Sequence, residues 1–585
     1  MPREGHRIAA TSPATDGVWR CNARMTPFLS PRAPLSTRVF GAPGRDQPWA
    51  VAAVVVGLSV LFYVSNPYWY GDAIWYATEI GRDRPLPLDA GHLIWRPVGA
   101  LLWRALRDVE DAVDPLVALR LLSSVATASL CVLTYRAGGR LGFGRHEALA
   151  AAAIVAGSKV CLAYGGSGSS YPAAMALGVL ALMPMLPRET RAGWQLRDGA
   201  ASVAAFTAAW ATWGVAALLL PAVFVAALVY GTGTLAHRVR RAAALCVAAG
   251  GSVLAVALGV YLFWVHTETG PAFSPWLGAA GHEIPLLGSV LGVARAAVGF
   301  VNSLVHLGTL PRSMKGILLA DWSIVDRRDT ALGAALLLLA GTGLVLAGRR
   351  MAKRLQHPRQ NTIRIVAMTC GALLPLTAFA VLWQGSDVER YSLAVPLVAL
   401  AAVHCVRESE RQTKRRGLRA IPAAWLLAGV ICLANASTFV VPRLITRGGV
   451  LMALGREARD HLGAGALVVF TGQDLWAPVE SATEYFWGLD AYDIHYDVSV
   501  RDASGWDARL RDVVASALQR SGRIALLSDL LGRPTPGGIG LSTREYPVPS
   551  LDDVARQFAG WTVGEGWRVG RFTFLEVTPP GTRAP

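Results

Sequence analysis

Charge is scarce in this chain. Only 16% of its 585 residues are Asp, Glu, Lys or Arg, against about 25% in an ordinary soluble domain, and that shortfall excludes a soluble globular enzyme. Lysine is nearly missing, with 4 lysines against 52 arginines. The formal net charge of +16 therefore reads partly as the coding bias of a GC-rich genome. In a membrane protein such an excess sits in cytoplasmic loops, so no nucleic-acid partner is implied. Paired cysteines are missing too. Cys131, Cys161, Cys246, Cys370, Cys405 and Cys432 lie in or at the ends of apolar segments and Cys21 lies in a polar N-terminal stretch, with no Cys-x-x-Cys pair or disulfide framework. There is no internal repeat of fixed period, and no Rossmann or P-loop fingerprint.

Apolar length is what the chain has in quantity. Hydrophobic residues make up 53% of it, its mean hydropathy is +0.38, and runs such as 49–64 and 242–265 suit the ~30 Å hydrocarbon core of a bilayer. The fold expected is a polytopic α-helical membrane protein of about eleven transmembrane helices with a small C-terminal α/β extracytoplasmic domain. Residues 1–48 are polar and rich in Pro and Arg, lack the basic-then-apolar order of a signal peptide, and read as a disordered cytoplasmic tail. Spans fall at roughly 49–66, 115–135, 147–164, 171–187, 199–213, 214–231, 242–265, 330–348, 364–383, 391–406 and 420–440.

Loop charge orients them. Every even-numbered span is followed by a basic loop: Arg136, Arg140 and Arg145; Arg188, Arg191 and Arg197; Arg238, Arg240 and Arg241; Arg349, Arg350, Lys353, Arg354 and Arg359; and Arg407, Arg411, Lys414, Arg415, Arg416 and Arg419. The positive-inside rule then puts the N-terminus inside and the C-terminus outside the cytoplasmic (inner) membrane. That regularity requires 199–231 to be two helices. Outside lie loops 67–114 and 266–329, which with the spans form a membrane domain over 49–442, and the tail 443–585. In the tail, strand-length apolar runs at 466–471, 523–528 and 571–577 and a helical pattern at 507–520 indicate an α/β domain.

Charges at or beneath the lipid interface carry the functional information, because each costs roughly 2.5–3.5 kcal/mol at mid-membrane unless paired or hydrated. Arg96, Arg120, Lys159 and Arg390 all fall on the outer side and together suit a phosphate at the outer leaflet; snorkelling to the headgroups is the plainer reading of Arg120 and Lys159. Just after the first span, Asp72 stands among Trp69, Tyr70, Trp75 and Tyr76. A carboxylate so placed suits a general base, with a helix N-cap as its structural alternative. Asp89, His92 and Arg96 follow within eight residues, ahead of an amphipathic stretch at 98–106 expected to lie along the interface. Asp89 and His92 suit substrate orientation or a metal, but no third ligand is near in sequence. In the tail, Trp476, Glu480, Glu484, Tyr485 and Trp487 suit either sugar stacking or the domain core.

At these residues the chain resembles the GT-C glycosyltransferases, polytopic enzymes that use lipid-phosphate-linked sugars, and within them the protein O-mannosyltransferase and aminoarabinose-transferase branch. The resemblance covers roughly 49–190 and 364–406. It is carried by Asp72 followed by Tyr76, Ala77 and Gly81, by Arg96-Pro97 leading into 98–106, by Arg120-Leu121, and by Glu389-Arg390-Tyr391 with Pro396 beyond a short apolar run. Where many relatives have an Asp-Glu pair this chain has Asp72-Ala73, so a second carboxylate's role is absent or falls to Glu79 or Asp89. The resemblance implies an inverting transfer of a sugar from a polyprenyl-phosphate donor to a glycan, lipid or protein acceptor. Asp72 would be the catalytic base, Arg96, Arg120, Lys159 and Arg390 would bind donor phosphate, and Tyr76, Asp89, His92, Glu389 and Tyr391 would line the substrate site. No cofactor is required, and nothing indicates a divalent metal. A lipid-linked glycan flippase and a non-catalytic membrane scaffold are the alternatives from other classes.

Overall fold

The structure is a computed structural model. It describes residues 48–66, 72–83, 90–110, 113–187, 193–266, 272–279, 290–308, 330–338, 360–382, 387–414, 423–446, 449–470, 488–494, 504–520, 522–531, 550–569 and 572–581, with a few single positions between them such as Tyr485. The expected N-terminal tail lies outside these residues, as do Trp69, Tyr70, Asp89, Trp476, Glu480, Glu484 and Trp487.

Helices dominate. In chain order they begin with α1 (Pro48–Ser65), α2 (Ala73–Gly81), α3 (Trp95–Arg107), α4 (Pro115–Arg140), α5 (Arg145–Gly157), α6 (Lys159–Tyr164), α7 (Tyr171–Leu182), α8 (Leu196–Thr212), α9 (Leu220–Val229) and α10 (Leu235–Val260). After α11 (Phe273–Ala279) come α12 (Val290–Leu304), α13 (Gln360–Leu382), α14 (Val395–Lys414), α15 (Ala423–Asn435), α16 (Val441–Thr446) and α17 (Gly449–Leu462).

Among the described residues, five helical stretches are long and apolar enough to cross a membrane: Pro115–Arg140, Leu235–Val265, Asn361–Leu382, Val388–Arg407 and Ala423–Leu444. Trp49–Ser65, Tyr171–Met185 and Gly214–Val229 are shorter apolar helices. The expected span at 147–164 is not one straight helix. It breaks at Ser158, whose extended backbone ends α5 and whose hydroxyl accepts the Cys161 N–H to cap α6. Segment 199–231 also divides, because Trp213 is extended (φ −155°, ψ 113°) between α8 and the 3₁₀ turn Gly214–Leu219.

The first large loop contains two short helices packed on α4. Gly99 of α3 meets Leu119 of α4 where a methyl group would not fit, which lets α3 seat closely, while Leu101 on its other face is exposed. Asp114 caps α4 by accepting the Leu116 N–H at 2.7 Å, with Pro115 as the first helical residue.

Beyond α17 the chain forms a five-stranded sheet of order β2-β1-β3-β5-β4. The strands are β1 (Leu467–Phe470), β2 (Asp490–Asp493), β3 (Ile524–Leu527), β4 (Thr562–Val569) and β5 (Phe572–Thr578), with α18 (Trp506–Arg520) and α19 (Leu551–Gln557) between them. β1 runs parallel to β2 and β3, whereas β5 is antiparallel to both β3 and β4. All four β3 residues are buried, as expected of a strand covered on both faces. The core here includes Val468, Leu510, Leu526 and Phe574. Tyr485 is not part of it. Its ring packs with Trp103 and Leu122 against the cluster of α2, α3 and α4, and its hydroxyl donates to the Asp114 carboxylate. Burial and that contact push the phenol well above its ordinary pKa, so it remains a donor.

Candidate active site

A turn of small residues organises the site. Gly165-Gly166-Ser167-Gly168-Ser169-Ser170 joins α6 to α7 and is held by hydrogen bonds with α3 and α4. Trp95 Nε1 donates to the Gly168 carbonyl at 2.9 Å, the Gly168 N–H donates to Ser123 Oγ at 3.0 Å, and Arg120 Nε donates to the Gly166 carbonyl at 2.9 Å. Gly168 has φ +94°, where side chains are strained, and a Cβ on Gly166 would strike the Phe62 carbonyl oxygen. Gly166→Ala should therefore destabilise the protein by about 1–3 kcal/mol, read as a lower unfolding temperature in detergent. A variant as stable as wild type would refute this close approach.

The turn presents a tyrosine at each end. Tyr164 and Tyr171 meet edge to face with ring centres 4.7 Å apart, and Tyr171 also meets Trp213 at 4.8 Å. Tyr171 donates to Asp72 Oδ2 at 3.3 Å, and Tyr164 donates to Glu389 Oε2 at 3.2 Å. A continuous path thus runs from Asp72 through the two rings to Glu389.

Asp72 occupies the N-cap position of α2, yet its side chain makes no capping hydrogen bond. Instead Oδ2 accepts from Tyr76 and Tyr171, each at 3.3 Å, and faces His92 Nε2 at 3.9 Å. No described residue hydrogen-bonds Oδ1. The side chain is 49% exposed, so one carboxylate oxygen is anchored while the group stays accessible.

His92 is fixed by its other nitrogen. Nδ1 lies 3.2 Å from the Thr212 carbonyl and 3.0 Å from Ser170 Oγ. A carbonyl only accepts, so in the neutral ring Nδ1 carries the proton and Nε2 turns a lone pair towards Asp72. The backbone holds this register, since Ile94 N–H donates to Ala211 O and Gly214 N–H to Gly91 O. The break at Trp213 makes those groups available.

On the far side of the tyrosines, the 3₁₀ turn Val388–Ala394 carries Glu389, Arg390 and Tyr391. Arg390 NH2 lies 3.0 Å from Glu389 and 3.8 Å from Asp387. Burial pushes the Asp387 carboxyl up to about 7 against the pull of Arg390. Lys159 acts electrostatically on the same carboxyl. Tyr391 is fully buried, its ring edge-on to Phe300 at 5.9 Å.

All four expected phosphate ligands have partners within the protein: Arg390 pairs with Glu389 and Asp387, and Lys159 donates to Asn302 Oδ1 at 2.9 Å. Arg96 is buried, 3.6 Å from Glu79 and stacked on Trp75 at 4.6 Å. Arg120 stacks on Tyr63 at 4.3 Å, and besides Gly166 its guanidinium donates to the carbonyls of Tyr63 at 2.9 Å and Asn66 at 2.6 Å. That use is neither phosphate binding nor snorkelling. The turn's tyrosines and Ser170 are site residues that the sequence reading passed over. The available signal was the Gly/Ser run between two apolar helices, each bearing a Tyr where it meets the turn. Among the described residues, no three His, Cys, Asp or Glu side chains gather as a metal site.

No protein-family profile matches this chain, and no curated protein matches it. Among solved structures, ArnT from Cupriavidus metallidurans in the apo state is similar at 14% identity and TM-score 0.42, over 90% of this chain and 97% of that one. ArnT from the same organism bound to undecaprenyl phosphate gives 12%, 0.40, 91% and 98%. The archaeal oligosaccharyltransferase AglB from Archaeoglobus fulgidus, in complex with an inhibitory peptide and a dolichol-phosphate, gives 12%, 0.40, 90% and 74%. These likenesses are distant, and the ligands belong to those proteins.

Proposed function

We propose that this membrane protein is a glycosyltransferase that moves a sugar from a polyprenyl-phosphate donor to an acceptor at the outer face of the cytoplasmic membrane. The observation that carries the reading is the state of Asp72. It is a half-exposed carboxylate, unused as a helix cap, anchored through Oδ2 by Tyr76 and Tyr171 and faced by His92. A general base needs a fixed position and an oxygen left for the proton, and this geometry supplies both.

In the reaction so read, Asp72 takes the proton of the acceptor hydroxyl as its oxygen attacks the anomeric carbon. The bond from that carbon to the phosphate oxygen breaks with inversion, and the polyprenyl phosphate departs. Arg390, with Lys159 acting on the same Asp387, would stabilise the charge that develops on the leaving phosphate. His92, Tyr76 and Glu389 line the substrate side in this reading.

The test is transfer from a panel of radiolabelled polyprenyl-phosphate sugars in membranes. Arg390→Ala should lose about tenfold to a hundredfold of the wild-type rate with the active donor. A wild type inert with every donor would sink the proposal.

A further inference from the structure

Tyr485 belongs neither to the Asp72 site nor to the core of the sheet, yet it joins the packing that holds Asp72 in place. The carboxylate is carried by α2, a helix of nine residues whose N-cap side chain makes no capping hydrogen bond. A helix so short does not hold in isolation, so its position depends on the face it buries. That face, Ala73, Ile74, Tyr76, Ala77 and Ile80, packs with Trp95 of α3 and Leu119 of α4 in one cluster. From it Tyr76 donates to Asp72 Oδ2, and Trp95 donates to Gly168 in the turn that leads to Tyr171.

Tyr485 enters this cluster from the far end of the chain. Among the described residues, every other member lies between Ala73 and Ala173. Its hydroxyl donates to Asp114 Oδ1, the oxygen that also accepts the Leu116 N–H at 2.7 Å to cap α4. The tether to the sheet is short. Three residues further on, the Gly488 carbonyl accepts the Gly465 N–H at 2.9 Å, and the Asp490 N–H that opens β2 donates to the Ala466 carbonyl at 2.8 Å. Three residues reach about 10 Å at full extension. The sheet therefore cannot move far without drawing Tyr485 from its seat.

The contact is also placed to come apart locally. Asp114 is exposed and Tyr485 half-buried, whereas Tyr76 and Tyr171, which hold Asp72, are buried. A seat made by one ring and one hydroxyl at the surface opens more readily than the packing beneath it.

We propose that Tyr485 is a latch through which the C-terminal sheet fixes α2. Seated, it keeps Asp72 against Tyr76 and Tyr171; released, it lets α2 loosen and the carboxylate leave them. Tyr485 is thus a positioning residue, acting on Asp72 through α2 and touching no reacting atom. Its effect on transfer rests on Asp72 being the base, whereas the latch itself does not.

The experiment is amide hydrogen exchange on the full chain in phosphatidylcholine nanodiscs, with transfer kinetics alongside. In Tyr485→Ala the amides of α2 and α3 should exchange at least about tenfold faster than in wild type, with those of α13 and β3 unchanged. Tyr485→Phe should regain most of the protection, because the ring stays and only the hydroxyl is lost. Asp114→Asn should match wild type, since an amide oxygen still accepts from both Leu116 and Tyr485. With the active donor, Tyr485→Ala should lower kcat about tenfold and leave the donor KM unchanged, the pattern of a displaced base. Wild-type exchange of α2 in a folded Tyr485→Ala protein would overturn the latch, as would equal acceleration in α13, which is a general loss of stability. Faster exchange of α2 with kcat intact would overturn the link to Asp72. Should wild type transfer from no donor while Tyr485→Ala still loosens α2 and α3 alone, the latch would stand and the transferase reading would fall.

Discussion

Replacing Asp72 with Asn should lower sugar transfer by about 10²–10⁴-fold, the range that a positioned general base contributes. Folding and membrane insertion should be retained. The amide keeps the shape of the carboxylate and an oxygen to accept from Tyr76 and Tyr171, now held by hydroxyls 3.3 Å from Oδ2. What it loses is the capacity to take a proton. The assay is initial-rate transfer in membranes, normalised to inserted protein. Asp72→Glu should recover little, since a longer chain displaces the oxygen from both tyrosines and from His92. Wild-type transfer by a folded Asp72→Asn protein would remove Asp72 from the mechanism.

The second large effect concerns stability. Arg120→Met should cost about 3–5 kcal/mol, because three hydrogen bonds from one half-buried charged donor are lost together. Three carbonyls, those of Tyr63, Asn66 and Gly166, lose their donor at once. These tie the end of α1 to the small-residue turn, so the loss should appear as a lower unfolding temperature and, through Tyr164 and Tyr171, as a misplaced site. Lys in place of Arg should rescue only part, because one ammonium on a flexible stem cannot reproduce the planar fork. A folded Arg120→Met protein of native stability that fails to bind donor would instead make Arg120 a phosphate ligand.

The sequence exposed the parts of this molecule that depend on short-range pattern. Apolar length marked the five described helices that are long enough to cross a membrane, and the proximity of Asp72, Tyr76 and His92 along the chain drew attention to a segment whose side chains do meet. Glu389 and Arg390 stood out as charges at the edge of an apolar run. Long-range partners were not legible. Tyr164 and Tyr171 went unnoticed, because nothing local says that Tyr171 reaches Asp72 or that Tyr164 reaches Glu389, 225 positions away. The same holds for Tyr485, which meets Asp114 only through tertiary packing. Arg120 was visible as a cation in a membrane helix, but its acceptors are backbone carbonyls and carry no sequence signature. In the sheet, the apolar runs foretold β1, β3 and β5. The short Asp490–Asp493 strand and the Gly-containing Thr562–Val569 strand lack that apolar character.

Tyr485 has a consequence for the order in which the protein is made. The Asp114 carboxylate that begins α4 is synthesised 371 residues before the phenol that donates to it. The ribosome delivers α4, and every later membrane helix, before that partner exists. Until then the Asp114 carboxylate has its local cap bond from the Leu116 N–H and otherwise faces water or transient neighbours while the rest of the chain emerges. The seal over α2, α3 and α4 closes only once the C-terminal part arrives, which makes it one of the last contacts of biogenesis to form.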